Sequence, residues 1–197
     1  MTNKHFISRS DILSMVDYGA IRANRRKSTS NLKRDRRVSV GPFATFYFEN
    51  YETMWMQVHE MLFVEQGGDE QIAGELEAYN PLIPKGRELI ATLMFEIADA
   101  DKRAYELSRL GKVEDMIYLE IDNESIPAIS LGDNIDRTND AGKTSAVHFL
   151  RFSLNDSAAK SFKNSAIRAA ISIRHPNYGH TATIQEITRN ALCNDLD

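Results

Sequence analysis

Three groups of residues have the types and spacing to do chemistry. The first is the run "RANRRKSTSNLKRDRR", Arg22 to Arg37, which holds eight of the chain's twenty-four Lys and Arg residues and one acid, Asp35. The run carries +7, and the rest of the chain, with sixteen basic residues and twenty-seven acids, carries −11, giving the formal net charge of −4. Arginine suits anions because its planar fork donates two hydrogen bonds at once. The run therefore predicts a surface for an anionic ligand or an acidic protein partner, carried by Arg25, Arg26, Lys33, Arg34, Arg36 and Arg37. No aromatic residue interrupts the run to stack on bases, and the whole chain is acidic, which argues against nucleic acid. An RNA-binding module is the weakest alternative, and salt-bridging of the run to the chain's own acids is the plainest one.

The second group lies in "ENYETMWMQVHEMLFVE", with Glu49, Gln57, His59, Glu60 and Glu65. Paired carboxylates near a histidine can share a proton or hold a metal. His59 directly precedes Glu60, however, so on a helix the two side chains point about 100° apart. The paired Glu-x-x-His signature of helical di-metal sites is also missing. The expectation is no metal. The third group is the strand-like "KTSAVHFLRF", where His148 and Arg151 fall among apolar residues on alternate faces. Such buried polar groups need partners, for which Glu96 and Glu120 on neighbouring segments are candidates, or else they line a pocket for a carboxylate or phosphate. An enzyme acting on a small anionic molecule would use His148 or Glu60 as acid or base and Arg151 as anchor.

Other signals are excluded. "GKTS" is not a phosphate loop, because the first glycine of G-x-x-x-x-G-K falls on Arg137. The single cysteine, Cys193, cannot build an iron–sulfur cluster or a disulfide framework. No cofactor is expected. With no signal-like start and no apolar run of membrane-spanning length, the expectation is a cytoplasmic protein with no membrane association.

The elements that position these groups follow from periodicity. "SRSDILSMVDYGAIRANRR" predicts a short N-terminal helix that gives way to a polar loop through "KSTSN", so that residues 1–36 form a helical and basic segment. "RRVSVGPFATFYFEN" predicts strand, turn, strand, with Ala44, Phe46 and Phe48 on one face. Trp55, Val58 and Leu62 form a buried helix stripe. Ile72, Leu76 and Tyr79 form another, stopped by "NPLIP". "ELIATLMFEI", "ADADKRAYELSRL" and "DMIYLEI" read as strand, helix, strand, with Asp99 as cap. "SAVHFLRFSL", "NDSAAKSFKNS" and "AIRAAISI" repeat the pattern, with Asn155 as cap. "IDNESIPAISL" reads as a hairpin, "GDNIDRTNDAGKTS" as a long polar loop and "HPNYGH" as a turn. Thr183 and Glu186 read as a capping box for a last helix. The predicted fold is α+β: a single domain over 1–197, with a mostly antiparallel sheet, helices largely on one face and a ferredoxin-like (split β-α-β) second half.

The combination of "RRVSVGPFATFYFEN", "QVHEML", "ELEAYNPLIP", "ELIATLMFEI" and "KTSAVHFLRF" resembles the bacterial domain of unknown function 3501 family, nearly end to end. Members are often encoded beside a rubrerythrin and an iron–sulfur oxidoreductase. The resemblance therefore implies an accessory or binding role in a redox or oxidative-stress setting, with one of those proteins as partner. It also marks Glu49, Asn50, Gln57, Glu60, Tyr79, Asn80, Lys143, His148 and Arg151 as polar positions of interest, a possible internal polar site.

Overall fold

A computed structural model describes residues 4–132, 138–139 and 142–197. Part of the polar loop expected over 132–145 lies outside the described residues.

The chain runs α1 (Met15–Arg34), β1 (Arg37–Val40), β2 (Ala44–Phe48), α2 (Tyr51–Glu65), α3 (Gly68–Tyr79), β3 (Glu88–Phe95), α4 (Ala100–Ser108), β4 (Ile117–Ile121), β5 (Glu124–Pro127), β6 (Ile129–Ser130), β7 (Val147–Ser153), α5 (Asp156–Lys163), β8 (Ala169–His175), β9 (Tyr178–Thr183) and α6 (Glu186–Cys193). The fold is α+β, with two antiparallel sheets ordered β1-β2-β3-β7-β6 and β5-β4-β8-β9. Each strand–helix–strand unit is therefore divided, with β3 and β7 in the first sheet and β4 and β8 in the second. This departs from the ferredoxin-like expectation, in which both units return to one sheet. Local sequence order is the same in either case, so periodicity cannot tell them apart.

The alternation along β2 and β3 sorts side chains between two cores. Ala44, Phe46 and Phe48 with Leu89, Ala91, Leu93 and Phe95 join Ile117, Leu119, Ile171 and Ile173 of the second sheet in one cluster. Helices α4, α5 and α6 complete it with Leu107, Ala158, Phe162 and Leu192. Ile90, on the other face of β3, joins Tyr18, Met54, Trp55, Val58, Leu62 and Ile72 of α1, α2 and α3. The hairpin between β1 and β2 is pinned to β9. Tyr178 Oη donates to Val40 O at 2.7 Å and accepts from the amides of Phe43 (3.1 Å) and Ala44 (3.0 Å). Gly41 sits in that turn at φ +69, where a Cβ would lie 2.7 Å from the same hydroxyl, so both conformation and space require glycine.

Two boundaries differ from expectation. The basic run does not end a short helix: α1 continues to Arg34, and its Ser14 cap accepts from the Asp17 amide at 3.1 Å. Within α1 Tyr18 and Thr29 are the buried residues, so no apolar stripe announces its length. It is held instead by polar and cation–π contacts with α2. At the C-terminal end Thr183 closes strand β9 and Gln185 occupies the cap position of α6, so the Thr183–Glu186 capping box is not formed. Strand β9 is largely exposed apart from Tyr178, which removes the hydrophobic alternation that would have revealed it.

Candidate anion-binding groove

On α1, Arg26, Ser30, Lys33 and Arg34 recur at helical spacing and share one face. Arg37 opens β1 directly opposite Tyr47 of β2. Thr53, Gln57 and Glu60 come from α2. These side chains line a groove of about 510 Å³ between α1, α2 and the edge of the first sheet. Four cations thus face one concavity: Arg26, Lys33, Arg34 and Arg37. Among the described residues Arg26, Lys33 and Arg37 form no ion pair, and Arg34 has a long contact to the adjacent Asp35 at 3.4 Å.

The acid in the lining is already neutralised. Glu60 receives both arms of the Arg22 fork at 2.8 Å and the Tyr18 hydroxyl at 2.7 Å. The Arg22 contact, reinforced by Tyr18, holds the Glu60 carboxyl below the usual carboxylate range even against partial burial. Burial, with Glu60 as hydrogen-bond partner, raises the Tyr18 phenol well above its ordinary value. Tyr47 donates to Glu96 at 2.8 Å, and burial together with that bond raises its phenol also.

The other residues singled out by sequence fall elsewhere. Arg25 stacks over Trp55 at 4.7 Å and pairs with Glu52 at 3.3 Å. Arg36 is not on the surface: it is 3% exposed and donates into the protein interior. The sequence places Arg36 on one surface with Arg25, Arg26, Lys33, Arg34 and Arg37, but strand alternation sends Arg36 and Arg37 to opposite sides. His148 and Arg151 lie on opposite faces of β7. His148 is fully buried facing the core between the sheets, with Nε2 2.9 Å from Ser145 O and Nδ1 3.6 Å from Glu114. Arg151 approaches Glu88 at 3.8 Å. The partners suggested from sequence are engaged differently, Glu96 with Tyr47 and Glu120 with Ser125, Ser172 and Arg174. Glu49 is buried and accepts from Thr92 Oγ1 at 2.8 Å. Tyr79 packs at the edge of the helical core, and the Lys143 amide donates to Asn139 Oδ1 at 2.9 Å. The groove therefore unites Arg26, Lys33, Arg34, Arg37, Gln57 and Glu60. It does not bring His148 or Arg151 to Glu60, as the acid–base alternative requires. Among the described residues no three His, Cys, Asp or Glu side chains cluster in a way that could hold a metal ion.

Two other polar residues singled out by sequence, Asn80 and His59, serve the strap formed by residues 4–13. Asn80 accepts from the Ile7 amide at 2.7 Å and donates to its carbonyl at 3.0 Å. His59 Nδ1 lies 2.7 Å from Trp55 O, and Nε2 accepts from the Leu13 amide at 3.1 Å. Only the neutral ring with its proton on Nδ1 makes both bonds. Burial lowers the His59 pKa below its ordinary 6.5. The unfolded chain therefore binds the proton first, and stability is full above about pH 6.5 and falls as pH drops toward the depressed folded value. Fluorescence of Trp55, the only tryptophan, is expected to report loosening of the strap in that acid window. It should show no such transition in His59→Gln, and an unchanged titration in that variant would remove His59 as the cause.

The family described as "Protein of unknown function (DUF3501)" matches residues 6–196. The chain belongs to this family. The chain is similar to a novel protein of unknown function from Burkholderia pseudomallei K96243 whose crystal structure is solved: the two are 36% identical with a TM-score of 0.88, over 97% of this chain and 99% of that one. No curated protein matches the chain. Among the described residues no helix is long and apolar enough to cross a membrane.

Proposed function

We propose that this DUF3501 protein is a binding protein whose α1–α2 groove takes an anionic ligand or the acidic surface of a protein partner. The observation that carries the reading is the convergence of Arg26, Lys33, Arg34 and Arg37 on one concavity in which the acid, Glu60, is already paired. In an otherwise acidic chain that charge is unspent, and charge-assisted hydrogen bonds to a bound anion would use it. Glu60 is held ionised by Arg22, which supports binding over proton transfer at this place. The family's encoding beside rubrerythrin and an iron–sulfur oxidoreductase supports a redox setting and makes those proteins the first partners to test.

Isothermal titration with inorganic pyrophosphate, and co-purification with rubrerythrin, separate the small anion from the protein partner. Arg26→Gln, Lys33→Gln and Arg37→Gln together are expected to weaken whichever binds by at least about 100-fold, since each charged hydrogen bond contributes about 1.5–3 kcal/mol. Raising salt should weaken it as well. Undiminished binding by a folded triple variant would exclude the groove.

A further inference from the structure

Arg34 and Arg37 form a wall shared by two cavities. On one side is the anion groove; on the other is a second hollow of about 480 Å³ lined by Ser39 of β1, Thr183 of β9, Gln185 and Ile187 at the start of α6, and Asp35, whose carboxylate lies 3.4 Å from Arg34. That second hollow lies where two sheet edges run beside each other without forming a ladder: β1 ends the first sheet and β9 ends the second.

Hydrogen-bond register shows what those edges offer. The Phe48 amide donates to Arg36 O at 2.8 Å, so in the antiparallel pair Val38 directs its main-chain groups to β2, and Arg37 and Ser39 direct theirs outward. Likewise the Ile184 amide donates to Ala169 O at 2.9 Å, which turns the main-chain groups of Thr181 and Thr183 away from β8. Ile187, 58% exposed, adds an apolar surface to the hollow.

We infer that the occupant of the groove is an extended acidic segment of another polypeptide. It crosses the Arg34–Arg37 wall, places its carboxylates among the four groove cations, and pairs its main chain with the free edge of β1. A strand added to an open edge gains affinity from main-chain hydrogen bonds and specificity from alternate side chains. Here alternation would set acidic residues toward Arg34 and Arg37 and an apolar residue toward Ile187. Charge complementarity selects an acidic chain, and the outward N–H and C=O groups of Arg37 and Ser39 select a peptide over a free phosphate. The inference rests on the anion reading of the groove and narrows it.

The test uses the full chain and a fluorescent, short alternating Glu–Val peptide, read by polarisation with pyrophosphate as competitor. A second peptide carries N-methyl groups on alternate residues and so keeps the charges while losing the donors. The expected result is that the unmethylated peptide binds and is displaced by pyrophosphate, and that the methylated one binds about tenfold more weakly, as loss of one or two such bonds predicts. Ser39→Pro removes an outward amide that β2 does not use, which an edge strand tolerates. It should give a similar loss for the peptide and leave pyrophosphate binding unchanged. Equal binding of both peptides, with pyrophosphate still competing, overturns the edge pairing and leaves the groove reading standing. Failure of both peptide and pyrophosphate to bind overturns both. Binding of a single-stranded oligonucleotide in place of the peptide overturns the inference in favour of nucleic acid.

Discussion

Arg36→Met is expected to lower the unfolding free energy by about 3–5 kcal/mol at neutral pH, the range for stranding a buried ion-pair partner. The side chains of Arg36 and Asp195 are 4% and 8% exposed, and the guanidinium donates directly to the Asp195 carboxylate. It also donates to Phe48 O at 3.0 Å, Glu49 O at 3.1 Å and Ala191 O at 3.0 Å. One side chain thus ties the end of β2 to α6 and the C-terminal turn. Burial raises the Asp195 pKa above its ordinary 3.8, with Arg36 opposing the rise. The folded state therefore holds that proton longer than the unfolded chain, and ionising Asp195 as pH rises through this window costs stability. Without Arg36 the folded pKa climbs further. The loss in Arg36→Met should then be greatest at neutral pH and smaller in acid, as Asp195 takes up its proton. Urea unfolding at both pH values measures this, with the midpoint falling and the slope unchanged. Adding Asp195→Leu should recover most of the loss, since an apolar pair of similar volume removes the stranded charge. A loss that does not depend on pH would mean that Asp195 is not the stranded group and that the carbonyl bonds dominate.

The contrast between Arg36 and Arg37 shows where the sequence stops being informative. Both belong to one basic run and are equivalent as charges. One lies inside the protein and the other lines the groove, because alternation begins between them, and a shift of one residue exchanges the faces. The reading of β2 succeeded for the same reason in reverse: Ala44, Phe46 and Phe48 declare their buried face by being apolar, which Arg36 cannot do. Local signals carried through at three helix caps, although not at the Thr183–Glu186 box. Asn50, Asp99 and Asn155 accept from the amides of Thr53, Lys102 and Ala158 at 3.0, 2.7 and 2.8 Å, as cap residues should. The roles of His59 and Asn80 depend on main-chain groups 46 and 73 residues away, and no local pattern encodes such distances. The groove was half legible: composition announced its cations, but Gln57 and Tyr47 join it only because α1 extends further than its composition suggested and lies against α2.

Arg189 carries no sequence signal of importance, yet Arg189→Met is expected to cost about 3 kcal/mol, as loss of a buried charged donor to several acceptors predicts. The residue is 5% exposed. It donates to Phe162 O at 2.6 Å, Ser161 O at 3.0 Å, Asn164 O at 2.8 Å and Ile167 O. These are the carbonyls at and just beyond the end of α5, which a helix leaves without internal partners. Their dipoles give that end a partial negative charge, and this compensates a buried guanidinium that has no carboxylate acceptor among the described residues. Burial pulls its pKa below the ordinary arginine value, but an arginine remains charged throughout the working range. Helix α5 has eight residues, too few to hold its own end without tertiary support. The loss should therefore be local as well as global. Hydrogen exchange of the amides around 161–167 should accelerate more than that of β2 and β3. Arg189→Lys should recover only part of the stability, because an ammonium cannot reach four carbonyls in the geometry a planar fork spans. A Met variant within about 0.5 kcal/mol of the parent, the scatter of neutral surface changes, would show instead that water replaces the guanidinium and that α5 is held by its buried Ala158, Ala159 and Phe162.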